Sequence, residues 1–175
     1  MIELLKTRRS IRKYEDRELE KEKIDTILKA ALLAPSSRSK RPWEFIAITD
    51  KDLIKKLSES KEHGSKLIEG APFCIVVIAD KECCDVWIED ASIAASIIHL
   101  TAHSMNLASC WVQIRERAHK GEEMAESYVR DLLNIPEKYG VECIIPIGYP
   151  AESKKAYEDS DLLYDKIHIN GYENK

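Results

Sequence analysis

The sequence has little of what marks a membrane, secreted or fibrous protein. No run of about 18 apolar residues occurs, so no segment reads as a transmembrane helix. The opening MIELLKTRRSIRKY lacks an apolar core followed by a small-residue cleavage site, so no signal peptide is expected. Glycine and proline number only six each, which excludes collagen-like and linker-like compositions. Metal-ligand spacing is missing, and no C-x-x-C occurs. The five cysteines are an odd set: Cys74, Cys110 and Cys143 sit in apolar runs, and Cys83 and Cys84 adjoin in a polar stretch. Buried, reduced thiols in a cytoplasmic protein are the expectation. Adjacent cysteines bridge only with backbone strain, which argues against a disulfide between Cys83 and Cys84. His99 and His103 share a helix face and could hold a metal, but no third ligand accompanies them.

What is present is an ordinary globular balance. Hydrophobic residues make up 44% of the 175 and charged residues 33%, with a net charge of −4, so one self-contained domain over 1–175 is expected. Ile24, Ile27, Leu28 and Ala31 fall at helical spacing and predict an amphipathic helix over 20–33. Glu44–Thr49 reads as a strand, followed by a short helix around Leu53–Leu57 capped by Asp50. Phe73–Ala79 is continuously apolar and predicts a strand buried on both faces. The stretch 86–107 is apolar around most of its circumference and predicts a central buried helix. Ser109–Ile114 and Val141–Tyr149 read as strands, with a helix over Glu122–Leu133 between them. Pro146 requires its strand to bend, bulge or lie at an edge. Leu162, Leu163, Tyr164 and Ile167 in the polar tail look built to cover something. The pattern predicts an α/β or α+β sandwich.

Three segments carry chemistry. Residues 1–13 hold five cations (Lys6, Arg8, Arg9, Arg12 and Lys13) against Glu3, a local charge of +4 in an acidic chain. Arginine forks match phosphate oxygens and Ser10 adds a hydroxyl, so a phosphate site is one reading. A solvated basic face is another. A nucleic-acid contact is disfavoured by the net acidity and the lack of a basic stripe elsewhere. The second segment, Ala34–Phe45, packs serines and cations between a helix and a strand, as a ligand-facing loop or a plain connection. In the third, Ile145–Pro150, Gly148 lets another group approach its backbone.

Together the R-R-S-I-R at 8–12, the A-P-S-S-x-S-x-x-P-W-x-F at 34–45, the A-S-C-W-V-Q-I at 108–114 and the I-G-Y-P at 147–150 resemble the nitroreductase family. The resemblance covers roughly residues 2–150. It implies an α+β sandwich with a central mixed or antiparallel sheet flanked by helices, in an intertwined homodimer. It implies two FMN molecules at the subunit interface, with NADH or NADPH as reductant and a small electron-poor acceptor such as a nitroaromatic or quinone. By position, Arg8, Arg9, Ser10 and Arg12 match the segment that holds FMN, with Arg8 and Ser10 toward the phosphate and ribityl end and Arg12 at the ring edge. Pro35, Ser36, Ser37, Ser39 and Arg41 match a loop that reaches FMN from the partner. Family members usually have Asn in place of Ser39 and Gln in place of Arg41. Trp111, Val112 and Gln113 match the segment along one ring face, and Ile147 and Gly148 lie toward the phosphate. A basic residue after the G-Y-P is expected to be Lys154 or Lys155. No catalytic side chain, metal, membrane or nucleic-acid partner is implied. Same-fold relatives with other acceptors or chemistry, such as dehalogenation or flavin fragmentation, and a non-enzymatic phosphate-binding module are the alternatives.

Overall fold

The computed structural model describes residues 1–172. A five-stranded antiparallel sheet lies between two layers of helices. Its strands are β1 (Trp43–Ile48), β2 (Phe73–Asp80), β3 (Ala108–Ser109), β4 (Val112–Gln113) and β5 (Tyr139–Gly148). They are ordered β1-β2-β5-β3, with β4 also paired to β5. The helices are α1 (Ile2–Thr7), α2 (Lys21–Leu32), α3 (Lys51–Leu57), α4 (Trp87–Ser104) and α5 (Ala125–Leu133).

The period-two alternation of β2 explains its unbroken apolar run. Phe73, Ile75, Val77 and Ala79 pack with Ile27, Ala31 and the alanines of α4. Cys74, Val76 and Ile78 pack with Leu57, Ala125 and Val129 on the other face. A strand covered on both sides has no polar face to show. Small residues along α4 (Ala91, Ala94, Ala95 and Ala102) are fully buried and let the sheet and α2 approach closely. Asp50 caps α3 as expected, its carboxylate accepting from the Leu53 N–H at 2.8 Å.

Two expectations need correction. The strand expected over Ser109–Ile114 is two pieces, because β3 pairs with Ile147 and Gly148 and β4 with Cys143 and Ile144. Cys110 and Trp111 cross the gap. That gap also accommodates Pro146, in line with the expected irregularity: β5 is an inner strand whose pairing on that side skips Ile145 and Pro146. The helix expected from Glu122 starts at Ala125, since a turn over 119–123 closes with a bridge between Ala118 and Met124. α1, on which the sequence raised no expectation, forms the start of the segment 1–13. The three residues 173–175 of the tail lie outside the described residues.

Candidate functional site

The N-terminal arm runs beside β3. Ser10 bridges Ser109, the Ile11 N–H donates to the Ser109 carbonyl at 3.2 Å, and Tyr14 bridges Pro150. Tyr14 pins the arm: its half-buried side chain donates through the hydroxyl to the Ile11 carbonyl at 2.9 Å, and that hydroxyl lies 3.3 Å from the Pro146 carbonyl. Burial pushes this phenol well above its ordinary range. The tail then returns along the arm. The Ala151 N–H donates to the Lys13 carbonyl, and the Tyr157 N–H to the Lys6 carbonyl.

This return decides the fate of the cations. Arg9 lies over the Tyr157 ring at 4.4 Å and donates to the Lys155 carbonyl, so its guanidinium clamps the tail. Of the two lysines after the G-Y-P, Lys154 meets the arm: its ammonium donates to the Ser10 carbonyl at 2.7 Å. Lys155 instead pairs with Glu158. Among the described residues the Arg8 guanidinium has no hydrogen-bond or ion-pair partner, and Arg8 lines two adjoining cavities. One, of about 260 Å³, is walled by Arg8, Arg9, Ser109, Pro150, Glu152 and Lys154. The other, of about 330 Å³, is walled by Arg8, Ser10, His99, Leu100 and Trp111. Arg12 faces a third space with Lys13, Tyr14 and Lys66, while its backbone N–H donates to Glu152 at 2.6 Å. That hydrogen bond holds the Glu152 carboxyl below its usual range. A cavity of about 390 Å³ opens near Pro72, but Glu15, Asp16, Glu18 and Glu69 line it, which does not suit an anion.

Val112 and Ile147 are buried and offer only backbone. Gly148 admits close approach, but the approaching group is the protein's own: a Cβ there would lie 2.8 Å from Pro72 Cδ and 3.0 Å from Tyr14 Cδ1. Trp111 is half-buried, with its indole N–H donating to Gln113 Oε1 at 2.8 Å. His99 and His103 do not form a metal site. His99 Nδ1 meets Ser109 Oγ at 2.7 Å, His103 Nε2 meets Thr7 Oγ1 at 2.9 Å, and no group of three metal-capable side chains exists among the described residues. Burial, aided by the Arg8 charge, lowers the His99 pKa to about 4, so its ring is neutral at pH 7.

The loop holding Pro35, Ser36, Ser37, Ser39 and Arg41 is elsewhere. It adjoins Trp43, which pairs with Ala79, whereas Ser10 lies level with Phe73. The two segments therefore stand about 20 Å apart along the strands and four strand spacings, about 19 Å, across the sheet. Arg38, Ser39 and Arg41 adopt left-handed φ of 51°, 54° and 50°. The turn is braced by the Ser37 N–H to Asp90 at 2.9 Å, Arg38 to Asp85 at 2.6 Å and the Arg41 N–H to Ser36 Oγ at 2.8 Å. One chain does not bring this loop to the arginine arm.

The family model described as "Nitroreductase family" matches residues 5–64 and 55–149. The chain belongs to the nitroreductase family. Among nitroreductases it is 57% identical to the solved FMN-dependent nitroreductase of Clostridium difficile R20291, with a TM-score of 0.97 over 98% of this chain and 100% of that one. It is 37% identical over 172 residues, 95% of each chain, to an Archaeoglobus fulgidus protein with a provisional NADH dehydrogenase/NAD(P)H nitroreductase name. A nitroreductase family protein of Clostridium novyi NT shares 25% identity and superposes with a TM-score of 0.76 over 99% of this chain and 94% of that one. The α+β family fold is thus the fold of this nitroreductase chain, and it carries an oxidoreductase's scaffold.

Reasoning from sequence missed Tyr14, Tyr157 and Glu142. Only Glu142 left a signal, as a lone acid in the apolar run VECIIPI.

Proposed function

We propose that this chain is an FMN-dependent enzyme that takes hydride from NADH or NADPH and passes the electrons to an electron-poor acceptor, a nitroaromatic or quinone, in a ping-pong cycle. The observation that carries the reading is the unpartnered Arg8 guanidinium facing a cavity it shares with the Lys154 ammonium. An exposed cation needs no partner, but two lining one cavity suit a phosphomonoester. Bound FMN supplies a ring that accepts a hydride and later gives up its electrons.

The chain's residues then have separate tasks. Arg8 and Lys154 hold the phosphate, and Ser10 the ribityl chain. Trp111, Val112 and Gln113 would pack along the ring, with the indole braced by Gln113. Arg12 offers fixed positive charge to the pyrimidine edge. A unit charge at ~4 Å contributes about 4 kcal/mol at an effective dielectric of 20. No nucleophile is required, and protons come from water.

The site is completed by a second copy of the chain, whose Pro35–Arg41 loop supplies the other wall. Exposed apolar residues support this: Ile2, Leu5, Leu163, Tyr164 and Ile167 are 65%, 45%, 62%, 64% and 57% exposed. No described helix is long and apolar enough to cross a membrane, and a cytoplasmic setting fits the free thiols.

Protein reconstituted with FMN should be yellow and bleach anaerobically when NADH or NADPH is added. Absence of bound flavin refutes the reading. Salt-sensitive retention of nucleic acid in its place would favour a binding module. Leu163→Asp should yield monomers by analytical ultracentrifugation and lower flavin occupancy in step. A full-occupancy monomer would overturn the shared site.

A further inference from the structure

An acid sits at an irregularity of the central strand. β5 pairs Cys143 with Val77 but Val141 with Ile78, so Glu142 is the extra residue of a β-bulge. The bulge changes which face the strand presents: Val141 joins one core and Cys143 the other. Bulges re-aim side chains and gather beside functional sites. Glu142 is 3% exposed. Its carbonyl accepts from the N–H groups of Ile114 at 3.1 Å and Arg115 at 3.3 Å. Its carboxylate meets Arg115 Nε at 3.2 Å and Gln113 Nε2 at 3.3 Å.

The donor and acceptor chemistry of this chain of contacts has one solution. The Trp111 indole only donates, so the Gln113 oxygen must face it, as it does at 2.8 Å. The Gln113 amide nitrogen therefore turns the other way, where it finds acceptors alone: the Arg115 carbonyl and the Glu142 carbonyl and carboxylate, each at 3.3 Å. The backbone ladder does not hold this stretch, since Cys110 and Trp111 lie in the gap between β3 and β4. Side chains brace what the sheet leaves free.

We propose that Glu142 is a positioning residue, which acts through Gln113 to fix the Trp111 indole and so the ring-facing segment 111–113. The proposal rests on the reading that this segment faces FMN. Charged groups around Glu142 act in both directions: Arg115 and the Gln113 amide favour its ionised form, whereas burial and the Glu126 carboxylate oppose it. The Cys143 thiol beside it is itself pushed up by burial. Burial prevails, and the Glu142 carboxyl titrates above its ordinary range.

The test follows the indole N–H resonance of Trp111 in isotope-labelled, FMN-free protein, separated from those of Trp43 and Trp87 by Trp111→Phe. His99 stacks on the Trp111 ring with centroids 6.3 Å apart and titrates at about 4, so the pH series is run in a His99→Asn background, where the signal should shift as Glu142 titrates. Glu142→Gln, which keeps the shape, should abolish the pH response and retain FMN within about threefold, because an amide oxygen still accepts from Gln113. Glu142→Ala should displace the signal and weaken FMN retention about tenfold, as loss of a buried charge-assisted hydrogen bond does. An unmoved signal and unchanged FMN retention in Glu142→Ala, with only a lower melting temperature, would overturn the proposal. Should that variant not fold, a pH response persisting in Glu142→Gln does so alone. A wild type that binds no FMN would remove the flavin reading, and the resonance would still decide whether Glu142 governs Trp111.

Discussion

Replacing Gly148 by alanine tests whether the N-terminal arm is held to the sheet by fit. The added Cβ would lie 2.8 Å from Pro72 Cδ, 3.0 Å from Tyr14 Cδ1 and 3.1 Å from Tyr14 Cβ. None of these is the far end of a flexible chain. The proline ring is rigid, and the tyrosine is anchored through its hydroxyl to Ile11 and to the sheet at Pro146. Overpacking of this kind costs about 1–3 kcal/mol. For a chain of this size each kcal/mol lowers the melting temperature by ~2–4 °C, so a cost of ~2 kcal/mol predicts a fall of ~4–8 °C. The strain has one direction of relief, outward movement of Tyr14, which carries Ser10 and Arg12 with it. Scanning fluorimetry should therefore report the lower melting temperature, and flavin fluorescence titration a weaker FMN complex. A melting temperature within a degree of wild type together with unchanged FMN affinity would show that Pro72 and Tyr14 yield freely and that the arm is not held by fit.

Two further outcomes follow from the charges. Arg8→Ala should weaken FMN retention by roughly tenfold or more, the scale of a charge-assisted phosphate contact, while leaving the melting temperature of the flavin-free protein unchanged because no partner is lost. An unaltered dissociation constant would refute the phosphate role. His99 has a folded pKa lowered from 6.5 to about 4, so the unfolded chain binds its proton first as pH falls. Its stability contribution is fully present above pH 6.5 and lost between 6.5 and about 4, a change of about 3 kcal/mol. Denaturant titrations across that window should flatten in His99→Asn, and an identical slope would exclude His99 as the source.

The parts of this fold that could be read from sequence are those with local causes. β2 was legible because burial on both faces forbids polar residues, and α2 because its apolar stripe has a helical period. Pro146 announced an irregularity, but not that the neighbouring strand would break opposite it, since SCWVQI looks continuous. That break depends on Cys110 and Trp111 meeting a strand more than thirty residues away. The same limit governed the cations. Arg8, Arg9 and Arg12 look equivalent in sequence. Only the return of the tail, with Tyr157 under Arg9 and Lys154 over Ser10, separates a clamp from a free guanidinium. α1 is six residues long, too short for periodicity to register.

The wide separation of the arginine arm from the Pro35–Arg41 loop has a consequence for inheritance. If each site joins the arm of one copy to the loop of another, a lesion in either segment silences both sites of a uniform dimer. A mixed dimer with the arm defective in one copy and the loop in the other concentrates both defects in one site and leaves the second whole. Two inactive alleles of this gene would then complement each other, up to half the normal number of working sites per mixed dimer.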